Sequence, residues 1–382
     1  MEMMHKNKKV FVVVYAKKNV GDDLFLHILF SRYPDVQFGL MAPESYQDFV
    51  ASYGNVSLVP APKMNLWEGV VCRLESLLNI SIFSRKAFLH NRRAYMSRRL
   101  AEGYNGFLHI GGSLFIQQAP GIGTYELTNT IVPQYFPDSF IIGCNWGPCF
   151  EDAYRDYYTS KVFPFYKEIC FRDRTSYNLF RELKNVRYAP DIVFQYTPQA
   201  TNLTPKHIGI SVINFSKREN LMQAWPSYVS KMSKTITDLH KEGYQITLFS
   251  FCKFEGDERA IENITKRLPQ GVNVKCVYYD GNLNAFLQEY GKMDTMVTLR
   301  FHSLVLSLIM GQKICPLIYS NKVTNLLSDI RYEGFSARLS ELDRVDLVKE
   351  IKEAKKTDIP LEEYAVKARD QFAGFERLYL NV

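Results

Sequence analysis

The chain has 382 residues, 46% of them hydrophobic and 23% charged, with 47 Lys and Arg against 40 Asp and Glu. That length exceeds one ordinary core and argues for two domains, and a net charge of +7 favours an anionic substrate or surface without requiring one. No stretch approaches the roughly 20 apolar residues of a membrane span. The seven Cys, at 72, 144, 149, 170, 252, 276 and 315, are odd in number, scattered and free of any CxxC. They read as reduced thiols of a cytosolic protein rather than a disulfide or zinc framework.

Met1–Lys9 is basic, and the apolar run Val10–Ala16 is too short for a signal-peptide core; it reads as a first strand. Asn19 and Gly21 make a turn, Asp22 or Asp23 can cap, and Leu24–Tyr33 is helical. Val36–Leu40 and Val56–Val59 are short strands with a helix between. From Asn65 to Ala101 the pattern changes. Leu66, Val70, Leu74, Leu77 and Leu78 recur at helical spacing. A second helical segment then carries Arg85, Lys86, Arg92, Arg93, Arg98 and Arg99 among Phe88, Tyr95 and Met96. Such a run is a solvated helix face or a surface for an anionic membrane or acidic partner.

Gly106–Ile110 is a strand that ends in Gly111–Phe115 (GGSLF). Gly112 would let a ligand approach the backbone, and Ser113 can cap a following helix. The spacing is neither GxGxxG nor a P-loop. Ser139–Gly143 is a strand before Cys144–Pro148 (CNWGP), a turn-rich loop holding Asn145. Ile169–Phe171 leads directly into Arg172, with Ser176 and Tyr177 opening a helix. Val186–Tyr188 and Ala189–Phe194 (APDIVF) finish this half.

Tyr196–Lys206 holds two prolines among polar residues and reads as the connection. The expected domains are therefore 1–196 and 206–382 with a linker at 197–205. The second half restarts at strand His207–Val212, followed by Asn214 and a helix near Tyr228–His240. Strand Tyr244–Phe251, helix Gly256–Leu268, strand Val272–Val277 and helix Asn284–Tyr290 come next. Strands and helices alternate, so the class is α/β with parallel sheets. Helices from Ser340 onward are expected to cross back over both domains.

Met296–Leu299 is a buried strand, Phe301–Met310 a helix stopped by Gly311, and Ile314–Leu317 the next strand. Arg300 and His302 fall where the chain leaves the first strand, at the carboxyl edge where such sheets bind ligands. The helix that follows points its free N–H groups there, which favours an anion. A permanent cation beside an imidazole suits a phosphate or carboxylate substrate that also needs proton transfer. Strand capping by the same two residues is the structural alternative.

NVGDDL, GGSLF, GCNWGP, FRDRTSYNLF, APDIVF, GISVINF and TLRFHSLVLSLIMGQKICPLIY occur in that order across most of the chain. Together they resemble the polysaccharide pyruvyl transferase family. Many relatives carry a glycine triplet where this chain has Gly111–Gly112–Ser113. The resemblance implies two Rossmann-like domains, a glycosyltransferase-B-like fold and an active site in the interdomain cleft. It implies transfer of pyruvate from phosphoenolpyruvate onto two hydroxyls of a sugar, as a cyclic ketal, in surface or capsular polysaccharide synthesis. By that match Arg172 and Arg300 hold the donor's carboxylate and phosphate, Ser303 joins them, and His302 moves protons. Asp22, Gly112, Ser113, Asn145 and Asn214 are acceptor or loop residues. Phosphoenolpyruvate is the co-substrate; no cofactor, metal or nucleic acid is expected. The acceptor is a sugar, with a polyprenyl-phosphate carrier and peripheral membrane contact through Arg85–Arg99 as the associated expectation for a cytoplasmic enzyme. A sugar-nucleotide glycosyltransferase and a non-catalytic glycan-binding protein of the same architecture stay open as alternatives.

Overall fold

The computed structural model describes residues 8–60, 67, 70, 85–123, 126–200, 202–218 and 221–381. The chain forms two compact units. The first holds Met1–Ala16, Leu29–Pro190 and Arg369–Val382, and the second Lys17–Ile28 and Asp191–Ala368.

The first unit is built on a seven-stranded parallel sheet. Its strands are β1 (Lys9–Val13), β2 (Gln37–Met41), β3 (Val56–Val59), β4 (Gly106–Ile110), β5 (Asp138–Cys144), β6 (Glu168–Phe171) and β7 (Val186–Tyr188). They run in the order β3-β2-β1-β4-β5-β6-β7. All five residues of β4 are buried, as a strand covered on both faces requires. The order reverses direction between β1 and β4, so the connections after these two strands leave on opposite faces and open a crevice at their carboxyl ends. Much of the chain's aromatic content is used here. Phe11, Phe107, Phe136 and Tyr166 pack together, and Phe115, Tyr158, Phe163, Phe171 and Phe180 continue the cluster.

The second unit holds β8 (Thr204–Ser211), β9 (Gln245–Ser250), β10 (Lys275–Tyr278), β11 (Met293–Thr298), β12 (Lys313–Ile318) and the short β13 (Ala337–Arg338). The order is β10-β9-β8-β11-β12-β13, again parallel throughout. The reversal here falls between β8 and β11. Its core is mainly aliphatic: Ile208, Ile210, Leu248, Val297, Leu299 and Leu317.

Three local expectations are revised. The helix after β1 spans Val20–Arg32, and its cap is Asn19, whose Oδ1 accepts the Gly21 N–H at 3.0 Å. Asp23 is instead buried and accepts a hydrogen bond from the Tyr279 hydroxyl at 2.7 Å. The proline-bearing segment does not remain irregular as far as Lys206. β8 already begins at Thr204, whose N–H donates to Lys292 O at 2.9 Å. The register shift opposite, between Met293 and Thr295, gives Pro205 a place in the strand without a missing ladder bond. The chain then passes to the second unit at Asp191 rather than at the linker.

The closing segment Arg369–Val382 belongs to the first unit. Gln371 is fully buried. It accepts from Gly143 N at 2.9 Å and donates to Ala189 O at 2.6 Å. Burying an amide at no net cost requires such partners.

The basic segment forms the helix Arg85–Ala101. Arg98, Arg99 and Tyr95 are exposed on it, while Arg92 and Arg93 are half-buried. Leu66, Leu74, Leu77 and Leu78, and the side chains of residues 85–88, lie outside the described residues; Val70 is exposed.

Candidate active site

In the second unit the carboxyl ends of β8 and β11 meet at the point of reversal. Ser211 closes β8, and its hydroxyl accepts from Leu299 N at 2.9 Å. Arg300 follows as the N-cap residue of the helix Phe301–Ile309, in extended backbone geometry. It is buried and gripped by two carboxylates. Its Nε donates to Asp257 Oδ2 at 3.1 Å, its Nη2 to Asp257 Oδ1 and its Nη1 to Glu255 Oε2. Asp257 also accepts the N–H groups of Phe251 and Cys252, both at 3.0 Å. Burial works against the Arg300 charge, but Asp257 and Glu255 outweigh it and hold the guanidinium well above its ordinary value. Arg300 is thus a permanent cation whose charge is already matched. Among the described residues three of its five N–H groups are taken by these carboxylates, and two have no partner there.

His302 lies in the first turn of the same helix. Its side chain is 13% exposed, and its Nε2 is 3.8 Å from Asp191 Oδ2. That is too long for a hydrogen bond and becomes an ion pair only when the imidazole is protonated. Asp191 is itself fixed, with Oδ1 accepting Val193 N at 2.8 Å. Phe25 and Phe301 meet the imidazole edge-on at 5.1 and 5.2 Å. On another side lies Gly21, where any Cβ would enter the ring. The imidazole is therefore held by packing on several sides and faces the Asp191 carboxylate, an arrangement that can orient a general acid or base.

In the first unit a second constellation forms after β4, β5 and β6. Arg172 is buried, and its Nη2 donates to Asn145 Oδ1 at 2.7 Å. Asn145 N in turn donates to Gly112 O at 2.7 Å. A Cβ on Gly112 would stand 2.5–2.6 Å from the Arg172 guanidinium atoms, so glycine is required there for space. Asp173 caps the short helix Arg174–Asn178 by accepting Ser176 N at 2.8 Å.

The sequence-predicted residues therefore divide into groups. Arg172, Asn145 and Gly112 come together in the first unit. Arg300 and His302 share the carboxyl edge of the second. Asn214 lies in that unit too, accepting from Ser216 N at 3.0 Å beside Gly256. Asp22 is half-buried in the first turn of its helix.

Two expectations are corrected. Ser303 faces inward: it is fully buried, and its hydroxyl is 2.8 Å from the Tyr290 hydroxyl. It is one position past His302 on the helix, which turns it from the edge into the core. Ser113 caps no helix among the described residues: the chain after β4 is irregular, Phe115 bridges to Trp146, and the next described helix, Leu127–Ile131, has Glu126 at its cap position. Asp191, Glu255 and Asp257 were missed. Each follows a strand or turn end, as Arg300 and His302 do, but nothing local in the sequence says which cation each one meets.

A family model described as polysaccharide pyruvyl transferase matches residues 19–321. No curated protein matches the sequence significantly. Among solved structures, UDP-N-acetylglucosamine 2-epimerase from Rickettsia bellii is 9% identical, with 98% of this chain and 97% of that one covered and a TM-score of 0.59. The UDP-GlcNAc 2-epimerase from Neisseria meningitidis bound to UDP-GlcNAc is 10% identical, with 98% and 100% covered and a TM-score of 0.57. TarM is 11% identical, with 98% and 97% covered and a TM-score of 0.51. At these identities the likeness concerns the fold: two parallel-sheet α/β domains of the glycosyltransferase-B-like kind.

Proposed function

The chain belongs to the polysaccharide pyruvyl transferase family, a transferase of polysaccharide biosynthesis, and from that premise we propose that it uses phosphoenolpyruvate to place a cyclic pyruvate ketal on a sugar of a surface or capsular polysaccharide. The observation that supports this reading most is the packed imidazole of His302 facing Asp191 beside the matched cation Arg300. The reaction needs one group that both gives and accepts protons, next to fixed positive charge.

Proton transfer from His302 to the terminal enol carbon of the donor turns its CH2 into CH3 and leaves the neighbouring carbon electron-poor. A sugar hydroxyl attacks that carbon and returns its proton to His302. The carbon–oxygen bond to phosphate then breaks, and a second hydroxyl closes the ketal, its proton leaving with phosphate. Asp191 holds the imidazole and balances its cationic form. The N–H groups of Arg300 that Asp257 and Glu255 do not take serve the donor's phosphate. The scheme calls on no further cofactor.

The test is incubation of the full chain with phosphoenolpyruvate and a panel of sugars, free and polyprenyl-phosphate-linked, read by mass and by phosphate release. A pyruvyl mass increment on a sugar with matching phosphate is expected. Transfer from nucleotide sugars in place of phosphoenolpyruvate would overturn the reading.

For localisation, among the described residues no helix is long and apolar enough to cross a membrane. We propose a cytoplasmic enzyme with peripheral contact through the exposed Arg98, Arg99 and Tyr95 on the helix Arg85–Ala101. Each basic residue near an anionic bilayer contributes about 1 kcal/mol at most, less in salt. Salt-sensitive co-sedimentation with anionic vesicles, lost on changing Arg98 and Arg99 to Gln, is the expected result.

A further inference from the structure

Arg300 cannot by itself account for binding a dianion. Two carboxylates, Asp257 and Glu255, already share its charge, so an approaching phosphate would meet a site that is locally neutral or negative. Unless further cations supply the missing charge, the desolvation cost of bringing a phosphate there goes unmatched.

Those cations stand at the carboxyl ends of the neighbouring strands. Arg218, on the loop after β8, lies 3.8 Å from Glu255 and is 42% exposed. Lys322 sits in the first turn of the helix Asn321–Asp329, which follows β12. The ring of Tyr319 joins them: the Arg218 Cζ and the Lys322 Nζ are each 5.4 Å from its centroid. Burial alone would raise the Tyr319 hydroxyl, but Lys322, Arg300 and Arg218 together bring it below its ordinary value. A positive field strong enough to outweigh burial at one oxygen is what an anion would also feel.

Two further features agree. The cap position of that nine-residue helix is Ser320, and its hydroxyl is buried without a hydrogen-bond partner among the described residues. The helix N-terminus adds its unsatisfied N–H groups and positive dipole end. The three cations Arg218, Arg300 and Lys322 face the two carboxylates, leaving one positive charge over.

We propose that Arg218, Lys322 and Tyr319, with the start of the helix Asn321–Asp329, form a phosphate subsite that takes the phosphate monoester of the donor and holds the phosphate it releases. Its assignment to the donor rests on the pyruvyl-transfer reading above; its affinity for phosphate does not. Arg218 and Lys322 supply the net charge that Arg300 lacks. Tyr319 serves as the platform that keeps both cations at one place.

The experiment is calorimetric titration of the full chain with inorganic phosphate. It compares the native protein with the Arg218→Gln/Lys322→Gln double variant, and melting temperatures confirm that both are folded. Phosphate binding weakened tenfold or more in the variant, with a melting temperature within a few degrees, is expected. Equal phosphate affinity in the two proteins, or no phosphate binding by the native protein, overturns the subsite. Competition identifies the source: phosphoenolpyruvate displaces phosphate from the native protein, and displacement by UDP but not by phosphoenolpyruvate overturns the assignment to the donor. A native protein that binds phosphate through these residues, yet forms no pyruvyl product with any acceptor, upholds the subsite and retires pyruvyl transfer.

Discussion

Gly21 and His302 share one space: the imidazole lies where a side chain on Gly21 would have to be. Gly21 is in the first turn of the helix Val20–Arg32, where alanine would ordinarily be the better residue by about 0.5–1 kcal/mol. The glycine is therefore explained by its neighbour rather than by its backbone. The turn before it, capped by Asn19, sets how closely the helix approaches the ring.

Gly21→Ala is expected to push His302 out of its place. Overpacking of this kind costs about 1–3 kcal/mol, so a lowered melting temperature should accompany the change. The decisive reading is turnover by the folded protein, expected to fall about 100-fold or more, as for loss of an acid–base group. Native turnover per folded molecule would detach the NVGD segment from catalysis.

Asp191→Asn separates orientation from capping. Asparagine still accepts the Val193 N–H, so the melting temperature should hold within a few degrees. The carboxylate charge opposite His302 Nε2 is gone. We expect kcat to fall with KM for phosphoenolpyruvate little changed, and the pH–rate profile to move. A fall in KM-dependent binding alone, with kcat kept, would make Asp191 a structural residue.

Arg300→Lys should lower stability as well as activity. Lysine keeps the charge but cannot bridge Asp257 and Glu255 with a planar fork. Arg300→Met goes further and leaves buried Asp257 without its cation, a loss of about 3–5 kcal/mol. Chemical denaturation of the three proteins should rank them native, Lys, Met. A Met variant as stable as the native protein would show that the ion pairs are not holding this edge together.

His109, at the end of β4, titrates against folding. Its Nδ1 lies 2.6 Å from Asn129 Oδ1. Burial, with Arg93 adding to it and the Asn129 bond opposing, lowers its pKa to about 4. The unfolded chain takes up a proton near pH 6.5, whereas the folded protein resists it until about pH 4. Stability from this residue is therefore intact above pH 6.5 and is lost as the pH falls, by at most about 3 kcal/mol. The melting temperature of the native protein should drop more steeply than that of His109→Gln between pH 6.5 and 4.5. Parallel curves for the two would contradict a buried neutral imidazole.

The sequence by itself determined the alternation that makes both sheets parallel, because neighbouring parallel strands are joined by a helical crossover. Val56–Val59, Gly106–Ile110 and Val186–Tyr188 lie where the pattern puts them. It also put Arg172, Arg300 and His302 just past strand ends, where topology exposes residues to ligand. It could not assign partners. Asp257 meets Arg300 across 43 residues and Asp191 meets His302 across 111, distances at which no periodicity carries information. Nor could it show that Lys17–Ile28 joins the second unit and Arg369–Val382 the first. Charge neutralisation of Arg300, the inward turn of Ser303 and the space kept open by Gly21 are consequences of packing. They exist only once the strands β8 and β11 lie side by side and fix which side chains must share the edge between them.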